Sequence, residues 1–327
     1  MLLFDSFQRI HNYLRISLTD QCNFRCTYCM PEENFPCHSG EDLMTPEEIE
    51  RLTAEFVKLG IQKVRLTGGE PLMRKDFADI LGRLSKLPID IHITTNAVLV
   101  DKYIDDLKKA NVKTVNVSID SLNEDTFFQI TKRNQFQRVW KNIQLLLDQQ
   151  FEVKLNVVAL KGHIESEFFD FIELTKNLRV EVRFIEFMPF SGNGWDSSKV
   201  VTANQMLDWA QQSVSLMKIE DLPHATTKKY RIEGHLGSIA FITTMTNHFC
   251  GDCNRLRLTA EGKMKNCLFG REETDLLTAL RAHEAVEPLI RNSVLRKFQT
   301  LGGQLVSDFN KIDAKTIENR SMIEIGG

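Results

Sequence analysis

No apolar run in this 327-residue chain approaches the ~18 residues that a membrane-spanning helix needs, so no membrane span is expected. A surplus of positive charge is also missing. The 41 lysines and arginines against 44 aspartates and glutamates give a formal net charge of −3 and a pI near 6.3. A generic nucleic-acid binder would carry a basic excess on at least one domain. The start, Met1-Leu2-Leu3-Phe4-Asp5, lacks the basic region and long apolar stretch of a secretion signal and the Ser/Arg-rich character of a transit peptide. A cytoplasmic protein is therefore expected. There is no low-complexity segment, and no internal repeat beyond a strand–helix rhythm. What remains is an ordinary globular composition, 42% hydrophobic and 26% charged, at a length that suggests two domains.

That rhythm is clearest from Leu14 to Phe187. Strands are expected at Leu14–Leu18, Val64–Thr67, Ile91–Thr95, Val115–Ile119, Val153–Val157 and Val182–Phe187. One intervening helix is well marked: Thr45 can N-cap, Pro46 suits the first helical position, Glu48 can close a capping box, and Gly60 ends an apolar stripe of Ile49, Leu52, Phe56 and Leu59. Repeated strand–helix units imply a parallel sheet with right-handed crossovers. Parallel strands covered on both faces read as continuous apolar runs. Here polar residues alternate with apolar ones instead: Arg15 and Ser17, Lys63, Arg65 and Thr67, His92 and Thr94, Asn116 and Ser118, Lys154 and Asn156. A single-layer sheet with a wet side would explain this. A curved, incomplete (β/α)6 barrel of α/β class with a cationic lumen explains it better, and implies an anionic small-molecule substrate, phosphate first.

Beyond Pro189 the rhythm breaks into a loop, Ser191-Gly192-Asn193-Gly194, and a helical patch near Ala203–Val214. From Tyr230 short antiparallel strands are expected at Gly237–Thr243, Arg255–Thr259 and Lys263–Cys267. A boundary near residue 220 divides the chain into a barrel, 1–220, and a second module, 221–327.

Six of the 7 cysteines form two triplets. An odd count with two-residue gaps, in a long chain for which no leader is expected, is a poor disulfide framework; metal ligation is the better reading. Cys22, Cys26 and Cys29 follow the first strand as C-x3-C-x2-C. Three thiolates can hold three irons of a 4Fe–4S cluster and leave the fourth open. A zinc site completed by Cys37 or His38 is the alternative, although zinc prefers paired C-x2–4-C knuckles. Cys250, Cys253 and Cys267 repeat the three-ligand pattern, with His248 as a possible fourth ligand if zinc is held. Arg255 and Arg257 alternate on the next strand and so face one side, where they could fork around phosphates.

The first triplet, with Tyr28 before its last cysteine, is similar to the signature of the radical S-adenosylmethionine (SAM) enzymes, and Thr67-Gly68-Gly69-Glu70-Pro71 resembles that superfamily's glycine-rich SAM motif. Leu14-Arg15-Ile16-Ser17-Leu18-Thr19-Asp20, the first triplet through Met30-Pro31, Lys63 to Leu72, Thr94-Thr95-Asn96, Asn116 to Asp120, Arg183 to Met188, the second triplet and the terminal Gly326-Gly327 together resemble one branch, the GTP 3′,8-cyclases of molybdenum cofactor biosynthesis. Ala97 departs from the branch, which has glycine after Thr-Thr-Asn, and 215–236 and 270–320 match loosely.

The resemblance implies two 4Fe–4S clusters, on Cys22, Cys26 and Cys29 and on Cys250, Cys253 and Cys267. It also implies SAM contacts from Tyr28, Gly69, Ser118 and Met188. GTP would be bound by Arg15, Arg65, Thr94, Lys154, Arg255 and Arg257, helped by Lys63 and Arg183. Gly326 and Gly327 would reach into the active site, and Cys37 would be a loop thiol. The implied reaction takes hydrogen from C3′ of the GTP ribose with a 5′-deoxyadenosyl radical and closes C3′ on guanine C8. The implied partners are an electron donor such as flavodoxin or ferredoxin and a downstream cyclic pyranopterin monophosphate synthase, with the chain a monomer or homodimer. A peptide-modifying radical SAM enzyme is the competing reading, against which the cationic lumen argues.

Overall fold

The computed structural model describes residues 2–29 and 37–326; Met30 and Pro31 of the first cysteine motif, and Gly327, lie outside the described residues. Helix α1 (Pro46–Lys58) begins as its sequence dictates. Thr45 Oγ1 accepts the Glu48 N–H at 3.2 Å, and Glu48 Oε2 accepts the Thr45 N–H at 2.8 Å, so both orphan donors are satisfied. Ile49, Leu52 and Phe56 then fall on one face and are fully buried.

Strands β1 (Tyr13–Ser17), β2 (Lys63–Thr67), β3 (Asp90–Thr95), β4 (Thr114–Ser118), β5 (Glu152–Ala159) and β6 (Val180–Glu186) are parallel and adjacent in chain order. They are linked by α1, α2 (Phe77–Leu84), α3 (Val100–Lys109), the pair α4 (Glu124–Thr131) and α5 (Phe136–Asp148), and α6 (Ile164–Asn177). This is the expected six-unit β/α core. Helix α7 (Ala203–Ser213) leads to β7 (Leu216–Lys218), β8 (Lys228–Ile232) and β9 (Ser238–Ile242), which continue the sheet beyond β6. On the other side β10 (Arg255–Leu258), β11 (Lys263–Lys265) and β12 (Thr274–Asp275) continue it beyond β1. Short helices α8 (Leu277–Arg281), α9 (Glu287–Leu295) and α10 (Met322–Ile325) close the chain.

The expectation of purely antiparallel strands after Tyr230 needs correction. β8–β9 and β10–β11 are antiparallel, but β9 lies parallel to β6 and β10 parallel to β1. The six-stranded core leaves an unpaired edge on each side. The later strands cover both edges, each in the direction the core strand presents.

Residues in register across parallel strands face the same way. Arg257, Arg15, Arg65 and His92 therefore form one row, and Thr94, Asn116, Lys154 and Glu181 another. On the opposite face Leu14, Ile16, Val64, Leu66, Val115, Val117, Leu155 and Val182 are fully buried in the helix-side core. Polar alternation thus sorts a charged face from an apolar one, and the charged face encloses a cavity.

One buried carboxylate ties the core to the later elements. Glu186, at the end of β6, accepts the N–H groups of Ala203, Met245 and Thr246 at 2.8–3.0 Å and the Thr246 hydroxyl at 2.5 Å. Its Glu186→Gln variant replaces one acceptor oxygen with an amide donor facing N–H or O–H groups, and should lose ~1.5–3 kcal/mol of stability. A fall in the urea midpoint at unchanged m-value would show it; an unchanged midpoint would count against this role.

Candidate functional site

The loop after β1 carries the first triplet and is held from three directions. The N–H groups of Arg25 and Thr27 donate to Thr131 and Ile130 at the end of α4, and the Phe24 ring meets Phe127 edge-on at 5.6 Å. The Tyr28 hydroxyl donates to Asp120 Oδ2 at 2.6 Å, while Asp120 Oδ1 accepts the Val158 N–H at 2.9 Å. Burial pushes Asp120 up to about 6, and burial together with Asp120 raises the Tyr28 phenol, which keeps its proton and donates. The thiols themselves are made weaker acids by burial: Cys22 is pushed up to about 12, and Cys26 and Cys29 are raised as well. Iron bound there would supply the positive charge that favours the thiolates.

The second side of this loop is the Gly68-Gly69-Glu70 turn. The Gly69 N–H donates to Thr19 O at 2.6 Å and the Glu70 N–H to Gln21 O at 2.8 Å, backbone against backbone. A Cβ at Gly68 would stand 2.3 Å from Thr19 O, and one at Gly69 2.2 Å from Gln21 O. The glycines are needed first to seat the β2 loop on the cysteine loop, besides any approach to a ligand. Glu70 is buried and accepts from the N–H of Leu72 and Asn96 and from Thr95 Oγ1, at 2.7–3.0 Å. Asn96 in turn donates to Asn23 Oδ1 at 2.6 Å and reaches Cys22 Sγ at 3.9 Å. Ala97, where the resemblance has glycine, holds φ +63° while fully buried, so the left-handed turn is kept without the residue that favours it.

The second triplet starts on the turn Cys250–Asp252 before β10 and ends with Cys267 after β11. Cys250 Sγ accepts the Leu301 N–H at 3.3 Å, and Cys253 Sγ accepts from Lys297 Nζ at 3.5 Å. Burial raises the Cys253 thiol, but the charges of Lys297 and Arg255 outweigh it and pull the group down to about 6. Among the described residues no three His, Cys, Asp or Glu side chains converge as a single metal ion requires, so a mononuclear zinc site is not preformed at either triplet. His38 instead pairs with Asp20 at 2.7 Å, and Cys37 Sγ reaches Asp20 O at 3.7 Å. Three half-buried thiols per site, with N–H donors on the sulfurs of Cys22, Cys250 and Cys253, are a donor set that fits an iron–sulfur cluster.

Both triplets face one cavity of about 630 Å³. Its walls include Arg15, Arg65, Thr94, Lys154, Arg255 and Arg257 beside Tyr28, Gly69, Ser118 and Met188, while Gly326, expected to reach into it, is not among the lining residues. Lys63 and Arg183 are there too. The field inside is positive: burial, then Arg65, Lys63 and Lys154, pull His92 down to about 3. Burial lowers Arg15 to about 10, and the neighbouring Arg255 adds to the effect. Part of the charge is compensated. Glu181 pairs with Arg183 at 2.5 Å and Lys229 at 2.6 Å, and Lys154 with Glu152 at 2.9 Å.

The tail enters from the β1–β2 end. Helix α10 opens on a Ser321–Glu324 capping box, and the preceding Arg320 pairs with Glu261 and Glu273. Gly326 is buried, and a Cβ on it would lie 2.8 Å from Thr67 Cγ2 and 3.4 Å from Gly68 N. The buried Arg257 guanidinium donates to the carbonyls of Ile325, at 3.4 Å, and Gly326.

Three contributors escape the sequence reading. Tyr13 accepts from Arg65 Nε at 2.6 Å with Lys63 over its ring at 5.2 Å; its place two residues before Arg15 could have revealed it. Asp120 was visible only as part of a motif. Lys297, well outside any motif, carried no signal at all.

Gly69→Ala should unseat the β2 loop, costing ~1–3 kcal/mol as overpacking does, and should expose the first triplet. A lower Tm with faster alkylation of Cys22, Cys26 and Cys29 is the expected result. Unchanged alkylation would show that the loop tolerates the methyl group.

With this geometry in hand, comparison with known proteins is specific. The Radical SAM superfamily model matches residues 16–175 and the Molybdenum Cofactor Synthesis C model residues 180–301. The chain is 42% identical over 333 residues to the mitochondrial GTP 3′,8-cyclase of Arabidopsis thaliana, covering 100% of this chain and 84% of that protein. It is 43% identical over 285 residues to GTP 3′,8-cyclase of Desulforamulus reducens, covering 85% and 88%. Molybdenum cofactor biosynthesis protein 1 of Bos taurus is 46% identical over 293 residues, covering 88% of this chain and 46% of the relative. The chain thus spans about half the length of such animal relatives. In fold it is similar to SuiB of Streptococcus suis bound to S-adenosylmethionine, with a TM-score of 0.59 at 17% identity over 86% of this chain and 68% of that one. The chain belongs to the radical SAM superfamily and, within it, to the family of the GTP 3′,8-cyclases.

Proposed function

We propose that this chain converts GTP to (8S)-3′,8-cyclo-7,8-dihydroguanosine 5′-triphosphate, the first step of molybdenum cofactor biosynthesis. The observation that carries this reading is the single cavity onto which both cysteine triplets and the cationic row open. One triplet alone would support SAM cleavage of any kind. A second at the far side of a positively charged chamber is what a nucleotide held between two clusters requires.

Cys22, Cys26 and Cys29 would hold a cluster that, with SAM, would supply the radical chemistry at ribose C3′, and Cys250, Cys253 and Cys267 would hold a second cluster that would supply iron for binding the guanine. The chain's own residues do the rest. Tyr28, Gly69, Ser118 and Met188 form the wall for SAM next to Cys22, Cys26 and Cys29. Arg15, Arg65, Thr94, Lys154, Arg255 and Arg257 hold the triphosphate, with Lys63 and Arg183 beside them, and so fix the ribose. The Arg255 guanidinium lies over the Phe249 ring at 4.6 Å, which orients its donors beside the second triplet. Arg257 serves two ends at once, because its Nη1 also holds the tail carbonyls. Gly326 lies beside Gly68, and we assign the terminal Gly326-Gly327 pair a part in the reaction. No helix among the described residues is long and apolar enough to cross a membrane. We assign the chain to the cytoplasm, as a monomer or homodimer, with a flavodoxin- or ferredoxin-type donor and cyclic pyranopterin monophosphate synthase as the next enzyme.

Anaerobic reconstitution with iron and sulfide, then addition of SAM, dithionite and GTP, should give 5′-deoxyadenosine and an isomer of GTP by mass spectrometry. Cys22→Ala should abolish SAM cleavage. Cys253→Ala should still bind SAM yet yield no cyclised GTP; near wild-type product would show the second triplet to be structural.

Arg257→Ala should slow cyclisation about 10- to 150-fold, the loss of one charge-assisted contact, with SAM affinity unchanged. Deleting Gly326 and Gly327 should leave both clusters and GTP affinity intact while suppressing product. Normal turnover of the truncated chain would show the tail to be a passive end.

A further inference from the structure

The second triplet is built from more than its own loop. Segment 297–301, just beyond α9, closes over it, and Arg9 locks that segment in place by donating to the carbonyls of Cys250, Phe298 and Gln299 at 2.7–2.9 Å. Asp5 holds Arg9 in turn through an ion pair at 2.6 Å. At the head of the segment sits Lys297, only 3% exposed.

A buried ammonium needs an anion or a full set of acceptors. Lys297 Nζ has two partners: the Arg255 carbonyl at 2.9 Å and Cys253 Sγ at 3.5 Å. Among the described residues no carboxylate lies within ion-pair distance of it. The group able to balance its charge is the Cys253 sulfur, as thiolate. Arg9 is already balanced by Asp5, but Arg255 and Lys297 both crowd this side, so a neutral site here would be poorly balanced, whereas an anionic thiolate cluster would be stabilised.

We propose that Lys297 is a positioning residue for the second cluster, a charged N–H donor to the Cys253 thiolate that makes this cluster easier to reduce than one without the cation. The inference rests on the reading of Cys250, Cys253 and Cys267 as cluster ligands. Its physical basis is that added electron density on an iron–sulfur cluster is stabilised by nearby positive charge and by hydrogen bonds to the ligand sulfurs. Among the described residues the first triplet has no such cation within hydrogen-bond distance of its sulfurs; the donors there are neutral, the Phe24 N–H and the Asn96 amide on Cys22 and the Tyr28 side chain on Cys26. The two clusters are thereby set apart in charge environment, with the more electropositive one at the substrate end.

The test is an EPR-monitored redox titration of the full, anaerobically reconstituted chain, with iron content measured in parallel. The reduction wave absent from Cys253→Ala identifies the second cluster. Lys297→Met should move that wave to more negative potential and leave the other wave in place. Lys297→Arg should keep it near the wild-type position, and Lys297→Gln, a donor without charge, should fall between. An unmoved wave in Lys297→Met, or an equal shift of both waves, would overturn the proposal. So would loss of the second cluster in all three variants, since that marks a purely structural role. Loss in Lys297→Met alone, with the graded positions kept in the other two, would support it. A wild-type chain that takes up only one cluster would overturn the cluster reading as well, which separates the two failures.

Discussion

Positive charge gathered on one face of a parallel sheet is the constraint that the rest of this molecule accommodates. Register sets Arg257, Arg15 and Arg65 side by side on adjacent strands. Like charges directly opposite one another are destabilising, and burial removes the water that would screen them. The structure answers with neutral acceptors: Tyr13 Oη and the Ile93 carbonyl for Arg65, and the tail carbonyls of Ile325 and Gly326 for Arg257. Carboxylates stand away from this row: Asp120 beside the first triplet, and Glu152 and Glu181 at the far wall, where they serve Lys154, Arg183 and Lys229. The row beside the second triplet is thus left for an anion to balance, and a triphosphate does so with directed, bidentate contacts.

The thiol sites follow the same logic at smaller scale. Burial, reinforced by the carboxylates of Glu70 and Asp120, opposes ionisation of Cys22, Cys26 and Cys29, so their environment favours the neutral thiol until iron arrives. Around Cys253 two cations reverse that preference. Two triplets with the same residue type and similar burial therefore differ in charge because different chain segments close over them: the end of α4 and the Asn96 loop in one case, and Lys297, Leu301 and Arg9 in the other.

Much of the fold was legible in the sequence because it rests on local rules. Thr45, Pro46 and Glu48 announce the start of α1 through bonds that span three residues. Alternation in Leu14–Leu18 or Val153–Val157 is a period of two, and any half-polar strand must obey it. The cation-lined lumen followed from that period alone. The parallel joins of β9 to β6 and of β10 to β1 did not, since pairing across the sheet depends on which core edges stand open and not on any residue in the joining strands.

By itself, then, the sequence determined the six β/α units, the two cysteine triplets and the cationic residues on the sheet's cavity face, because spacing and alternation are properties of consecutive residues. Only the tertiary structure decided that both triplets share one chamber, that Arg257 grips the tail, that Gly68 and Gly69 are demanded by the backbone of Thr19 and Gln21, and that Lys297 reaches Cys253. Each of these joins groups far apart in the chain or on neighbouring loops. Their energies come from burial and from charge balance, which exist only once the sheet has brought the parts together.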